Sequence, residues 1–255
     1  MSARVLLRTE QLVRRFGGLL ATDHAELSVL EGEVHALIGP NGAGKTTLIH
    51  QLSGTLAPTS GHIHFDGEDV TGLPIHARVR RGLVRSYQIT SVFPRLPVLD
   101  NLALAVQART GGARSFWRPA RAERERYAEA QAVAERVGLG DRSAQLAGAL
   151  SHGQQRQLEV GLALALRPRL LLLDEPMAGM GPEESERMVG LLQGLRGEVT
   201  LLLVEHDMDA VFRLADRISA LVSGRVIATG TPREIRNDPG VRRAYLGEEL
   251  EEATP

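Results

Sequence analysis

The chain has 255 residues, 43% of them hydrophobic, with 30 basic and 31 acidic side chains and a formal net charge of −1. That length supports one sizeable core, or a core plus a lobe, and the balanced charge gives no global field for nucleic acid. Cysteine is absent, which excludes disulfides, thiolate zinc sites and cysteine nucleophiles and fits a reducing compartment.

In chain order, the first residues lack the apolar h-region of a secretory signal. Residues 5–16, 25–30 and 62–65 are short or alternating, with turns at Gly17-Gly18 and Asp66-Gly67, and predict an antiparallel β lobe. Residues 34–38 form an apolar run that ends in Gly39-Pro40-Asn41-Gly42-Ala43-Gly44-Lys45-Thr46, followed by Thr47 and a helical stretch to Leu52. Strand, loop and helix follow in the order of the phosphate-binding pattern G-x-x-x-x-G-K-[ST]. Lys45 is the only lysine among the 30 basic residues. A phosphate loop has room for one compact ammonium on a flexible stem, whereas the wide guanidinium fork suits open bidentate pairing. Gly39, Gly42 and Gly44 let the loop turn its N–H groups inward, and the helix adds its positive end.

From residue 99 to 166 the pattern is helical, and residues 109–126, which include the single tryptophan, Trp117, predict an exposed loop leading into a charged helix. Leu150-Ser151-His152-Gly153-Gln154-Gln155 has two compatible readings. Ser151 and Gln154 fit a capping box, with Leu158, Leu162 and Leu166 as the buried stripe of the helix. Alternatively, Ser151, Gly153 and the helix N-terminus meet a γ-phosphate with the same orphan N–H groups.

Residues 170–173 are four leucines ending in Asp174-Glu175-Pro176, and residues 200–204 end in Glu205-His206-Asp207. Runs without alternation predict strands buried on both faces, as in a parallel sheet covered by helices. Ligands then sit beyond the carboxyl ends of the strands, so Gly39 to Thr46, Asp174-Glu175 and His206 are expected along one edge. Thr46 would give a hydroxyl to Mg²⁺ and Asp174 would hold the ion through water, while Glu175 would polarise a water aimed at the γ-phosphate. A hairpin is expected at Ser223-Gly224, followed by a polar tail. No apolar run approaches the ~20 residues needed to span a bilayer, so a soluble chain is expected, with any membrane role supplied by a partner. With neither repeat nor linker, residues 1–255 are expected to form one domain. Its lobe and core cover about 1–88 and 167–230, a helical subdomain about 89–166, and a tail 231–255.

These motifs resemble the ATP-binding cassette (ABC) ATPases over essentially the whole chain. Gly39 to Thr46 is similar to their Walker A, Leu150 to Gln154 to the signature and Leu170 to Glu175 to Walker B with its glutamate. Gln88 fits the Q-loop, Ala178 to Gly181 the D-loop, and His206 the switch histidine. The resemblance implies an α/β P-loop NTPase of ABC type, with a mostly parallel core sheet, an antiparallel β lobe and an inserted helical subdomain. It further implies ATP and Mg²⁺ as cofactors. Catalytic roles would fall to Glu175, His206 and Gln88, and the metal to Thr46, Gln88 and Asp174. Nucleotide contacts would come from Phe16, stacked on adenine, from Asn41 and Thr47 in the loop, and across a head-to-tail dimer from Ser151, Gly153 and Gln154.

Arg85-Ser86-Tyr87-Gln88, residues 109–126 and the tail from Arg236 to Gly247 are similar to a narrower group, the ATP-binding subunits of importers of branched-chain amino acids and related amides. In that group an integral permease would dock near Ile89 to Leu102, a second ATP-binding subunit would complete the dimer, and a solute-binding protein would act indirectly, with no nucleic acid involved. The expected location is the cytoplasmic face of the membrane. Two departures stand out. His152 replaces one residue of the usual Gly-Gly pair in the signature, and Gly181 stands where the D-loop usually carries Asp. A lipopolysaccharide-type export ATPase and a soluble ABC ATPase in assembly are the alternatives. A GTP switch lacks the second lysine needed for N-K-x-D, and a nonhydrolytic binder would not need both Glu175 and His206.

Overall fold

A computed structural model describes residues 4–86, 92–110 and 120–244. Its frame is a six-stranded sheet in the order β11-β10-β4-β9-β8-β7, made of β4 (Val34–Ile38), β7 (Leu83–Arg85), β8 (Leu170–Asp174), β9 (Thr200–Val204), β10 (Arg217–Val222) and β11 (Arg225–Gly230). All neighbours in it are parallel except β10 and β11, which form a hairpin. Ser223 and Gly224 turn that hairpin with φ of 47° and 79°, the left-handed pair that matches the twist of the flanking strands.

The apolar runs are continuous because the sheet is covered on both sides. Leu171, Leu173, Leu201 and Leu203 enter one buried cluster, with Val34, Ala36 and Ile38. Leu170, Leu172, Leu202 and Val204 enter the other, with Leu37. The first cluster is closed by α3 (Val98–Thr110), α4 (Ala120–Arg136), α5 (His152–Ala165), α6 (Pro182–Gly194) and α7 (Met208–Leu214). The second is closed by α1 (Lys45–Ser53) and by a lobe of β1 (Val5–Phe16), β2 (Leu19–Ala25), β3 (Ser28–Leu30), β5 (Ser60–Phe65) and β6 (Glu68–Asp69). Its strands run β2-β1-β5-β6, with β3 also on β1, and every pairing is antiparallel. Two short helices remain, α2 (Ile75–Arg80) and α8 (Pro232–Asn237).

The expected strand over residues 25–30 is divided. The Thr9 hydroxyl donates to the Ala25 carbonyl and accepts from the Leu27 N–H, at 2.9 and 2.8 Å, so the chain ends one ladder with β1 at Ala25 and starts a second with the same strand at Ser28. The helical stripe also differs from its expectation. Leu158 is buried, but Leu162 and Leu166 are only partly buried and line an open groove. The expected loop with Trp117 falls mainly outside the described residues. Its flanks are helical, α3 reaching Thr110 and α4 starting at Ala120, and Arg109 clamps them, its Nη2 donating to both Glu129 carboxylate oxygens at 2.6 and 2.7 Å.

Candidate nucleotide and docking sites

The order of the sheet places β4, β9 and β8 side by side, so the loop after β4, Glu205-His206 after β9 and Asp174-Glu175 after β8 meet at one edge. A cleft of about 480 Å³ lies there, lined by Phe16, Leu19 to Ala21, Asn41 to Thr47, Glu175, His206 and the Ser223-Gly224 turn. Two glycines are fixed by space. A Cβ on Gly39 would strike the Leu221 carbonyl oxygen, and one on Gly44, where φ is 100°, would strike that of Ala21. The loop is thus wedged between the β10 strand end and the lobe. Lys45 is buried, its ammonium donating to the Gly39 and Pro40 carbonyls at 2.5 and 2.8 Å. Thr46 and Asn41 face the open cleft, with Thr47 half-buried behind them. Phe16 ends β1 with 45% of its surface exposed, and the Arg14 guanidinium lies 4.6 Å from its ring centroid. An aromatic left uncovered beside a phosphate loop suits a flat base more than a core.

Glu175 takes φ of 50°, a left-handed conformation that costs a branched or long side chain about 1–3 kcal/mol. Its N–H donates to the Val204 carbonyl at 2.9 Å. The turn swings the carboxylate out of the strand and onto His206, whose Nε2 lies 2.6 Å from Oε1. Asp174, one residue earlier, stays inside. Its Oδ2 accepts from Arg85 Nη2 at 2.9 Å, and its buried Oδ1 has no hydrogen-bond partner. An orphaned carboxylate oxygen at the end of β8, on the sheet edge that carries the phosphate loop, fits a hydrated divalent cation, which takes few protein ligands. Gln88 lies outside the described residues.

Glu205 was not singled out in the sequence. It is buried, its Oε1 accepting from Met177 N–H at 2.8 Å and its Oε2 from His206 N–H at 3.2 Å. It therefore joins the segment after Glu175 to the histidine. Burial pushes its carboxyl above the ordinary range, with the two N–H donors opposing that and the Glu175 charge adding to it. The available signal was its place between a buried strand and a candidate histidine.

The signature turn lies apart from the cleft on the same chain. Ser151 caps α5 in a full capping box, its hydroxyl accepting from Gln154 N–H and Gln154 Oε1 accepting from Ser151 N–H at 3.0 Å. The Ser151 hydroxyl also donates to Glu184 at 2.9 Å, and that carboxyl group packs against Gly153, where any Cβ would collide with it. The His152 ring rests against Gly179, within 3.5 Å of the position a Cβ would take there. Gly181 forms the N-cap of α6 ahead of Pro182.

Four apolar residues in the stretch expected to dock a permease, Val92, Phe93, Leu96 and Val98, divide. Val98 is core, Val92 packs against it and Leu96 is half-buried, whereas Phe93 is exposed. Phe93 borders a mostly apolar groove of about 330 Å³, whose other walls, Leu104, Ala108, Leu162 and Leu166, come from α3 and from α5 and its end. Ile89 to Ser91 lie outside the described residues.

A phosphate loop, a strand-end carboxylate pair and a histidine on one sheet edge, with a capped glycine turn on an appended helical layer, define an ATP-hydrolysing cassette. Residues 22–178 match the ABC transporter family, and residues 225–251 match the family described as branched-chain amino acid ATP-binding cassette transporter. The high-affinity branched-chain amino acid transport ATP-binding protein BraF of Pseudomonas aeruginosa is 43% identical, over 96% of this chain and 99% of its own. The lipopolysaccharide export system ATP-binding protein LptB of Escherichia coli K12 is 33% identical, over 96% and 98%. A solved structure, the ADP conformation of the ATP-binding cassette MJ1267, superposes with a TM-score of 0.83 at 30% identity, over 95% and 99%. The chain belongs to the ABC transporter family. It binds ATP and is a transport ATPase.

Proposed function

We propose that this chain powers import of branched-chain amino acids or related amides as a peripheral subunit at the cytoplasmic face of the membrane. Support comes from the match of its C-terminal residues 225–251 and from the higher identity to BraF than to LptB, which puts export second. No helix among the described residues is long and apolar enough to cross a membrane, so attachment would run through the groove at Phe93, with a permease segment as its occupant. A solute-binding protein would act only through that permease.

The observation that carries the catalytic reading is the strained Glu175 held 2.6 Å from His206 at the mouth of the phosphate cleft. Phe16 would stack the base. N–H groups of the loop, with Lys45, would hold the β- and γ-phosphates, and Asn41 and Thr47 would complete that loop's contacts. Thr46, Asp174 through its orphaned oxygen, and Gln88 would hold Mg²⁺, which when bound neutralises charge building on the phosphates. Glu175 would accept a proton from the attacking water, and His206 would fix that carboxylate and the departing phosphate's orientation. Ser151, Gly153 and Gln154 would close over nucleotide held by an opposing subunit, the Ser151 hydroxyl exchanging Glu184 for phosphate. Replacing Glu175 by Gln keeps the shape and removes the base. ATP binding should persist while turnover, assayed with the membrane partners, falls 10²-fold or more. Undiminished turnover would remove Glu175 from this role.

A further inference from the structure

Arg85 occupies an unusual position. It ends β7, the edge strand of the sheet, and its side chain is 6% exposed while that of its partner, Asp174, is 1% exposed. One nitrogen, Nη2, holds Asp174 Oδ2 at 2.9 Å and leaves Oδ1 unpartnered. The same residue also lines the groove beside Phe93, Leu104 and Leu162. Among the described residues that line this groove, Arg85 is the one bonded to Asp174. A buried carboxylate needs a paired, fixed counter-charge to stay ionised and oriented, and here that counter-charge stands in the wall of the docking surface.

We infer that Arg85 is a positioning residue, which aims the free oxygen of Asp174 at the metal site and passes displacement of the groove wall to it. The reach to the groove rests on the docking reading above, whereas the hold on Asp174 does not. An occupant pressing on the wall would shift the guanidinium, and the carboxylate it grips would turn with it. The adjoining Ser86 N–H is tied to the Leu172 carbonyl at 3.0 Å, so the backbone is anchored and a shift of the wall would reach Asp174 through the Arg85 side chain.

The test titrates Mg²⁺ into the full chain with a fluorescent ATP analogue. Arg85→Met should require about 10-fold more Mg²⁺ for half-maximal effect, the scale of about 1.4 kcal/mol, while analogue binding in EDTA stays within twofold of the unaltered chain. Arg85→Lys keeps the charge without the planar fork and should fall between. A merely structural role would weaken both bindings together or neither, and an unchanged Mg²⁺ requirement overturns the proposal. If Arg85→Met fails to melt cooperatively, Arg85→Lys decides by the same titration, and a requirement within twofold of the unaltered chain again overturns the proposal. In the assembled transporter, Arg85→Met should co-purify with the permease but lose stimulation of hydrolysis by it, and retained stimulation overturns the link to the groove. Phe93→Asp separates the two readings. If it still co-purifies, docking at this groove is wrong, and the Mg²⁺ titration alone judges the hold of Arg85 on Asp174.

Discussion

Glu175 and Glu205 flank the same histidine and are held in opposite ways. Glu175 is turned outward by a left-handed backbone, which suits a base that must meet water. Glu205 is sealed inside, with both oxygens taken by N–H donors. Its folded-state value lies above the ordinary 4.5, so the native state binds that proton more tightly than the unfolded chain. Its favourable contribution is therefore complete below the unfolded value and is lost as pH rises through the folded one. Thermal melts of the unaltered protein and of Glu205→Gln between about pH 4 and 8 should show the gap shifting toward the variant with rising pH. Parallel curves would mean that the carboxyl is not held up by burial. Burial within a turn cannot be read from one residue type, which is why Glu205 offered only its place beside His206 while Glu175, next to Asp174 after four leucines, was plain.

At the scale of elements, α1 connects the phosphate loop to a buried cation. Arg78 of α2 is among the largest fully buried side chains. It donates to the Gln51 and Leu52 carbonyls at the end of α1, both at 2.7 Å, and to those of Leu73 and Thr71 at 3.0 and 2.9 Å. Burial lowers its pKa to about 10, so it remains charged at neutral pH and meets the negative end of the helix. Arg78→Met leaves buried carbonyls unsatisfied and should cost on the order of 3 kcal/mol, measured by denaturant unfolding. A loss under about 0.5 kcal/mol would show that water replaces the guanidinium there. The strands at 34–38 and 200–204 and the α5 capping box were legible because a buried run and a cap are local patterns. The break between β2 and β3, the grip of Arg78 and the open side of α5 were not, since each depends on which distant segment supplies the partner.

At the scale of the whole molecule, the head-to-tail dimer proposed above would have the signature turn and the phosphate cleft of one chain serve different nucleotides, so the two departures would act between subunits. His152 packs on Gly179 within its own chain, and Gly181 offers no carboxylate for coupling the two sites. We expect a dimer with a second, different ATP-binding subunit, in which each site pairs these residues with the other chain's loop. Native mass spectrometry of the intact, transporting complex should give one copy of this chain beside another ATPase. Two copies without a second ATPase would exclude that arrangement. The docking groove shows the same limit on sequence reading. Phe93 stands in the expected docking stretch, but Leu162 and Leu166 of the α5 wall were expected inside because they follow ordinary helical spacing.

Lys45 carries the only side-chain amine of the 255 residues, and it is tucked onto two loop carbonyls. Every other cationic side chain that stays charged at neutral pH is an arginine, inert to acylating reagents. Amine-selective chemistry therefore addresses one lysine in this molecule, and its rate at that lysine reports how tightly the phosphate loop is closed.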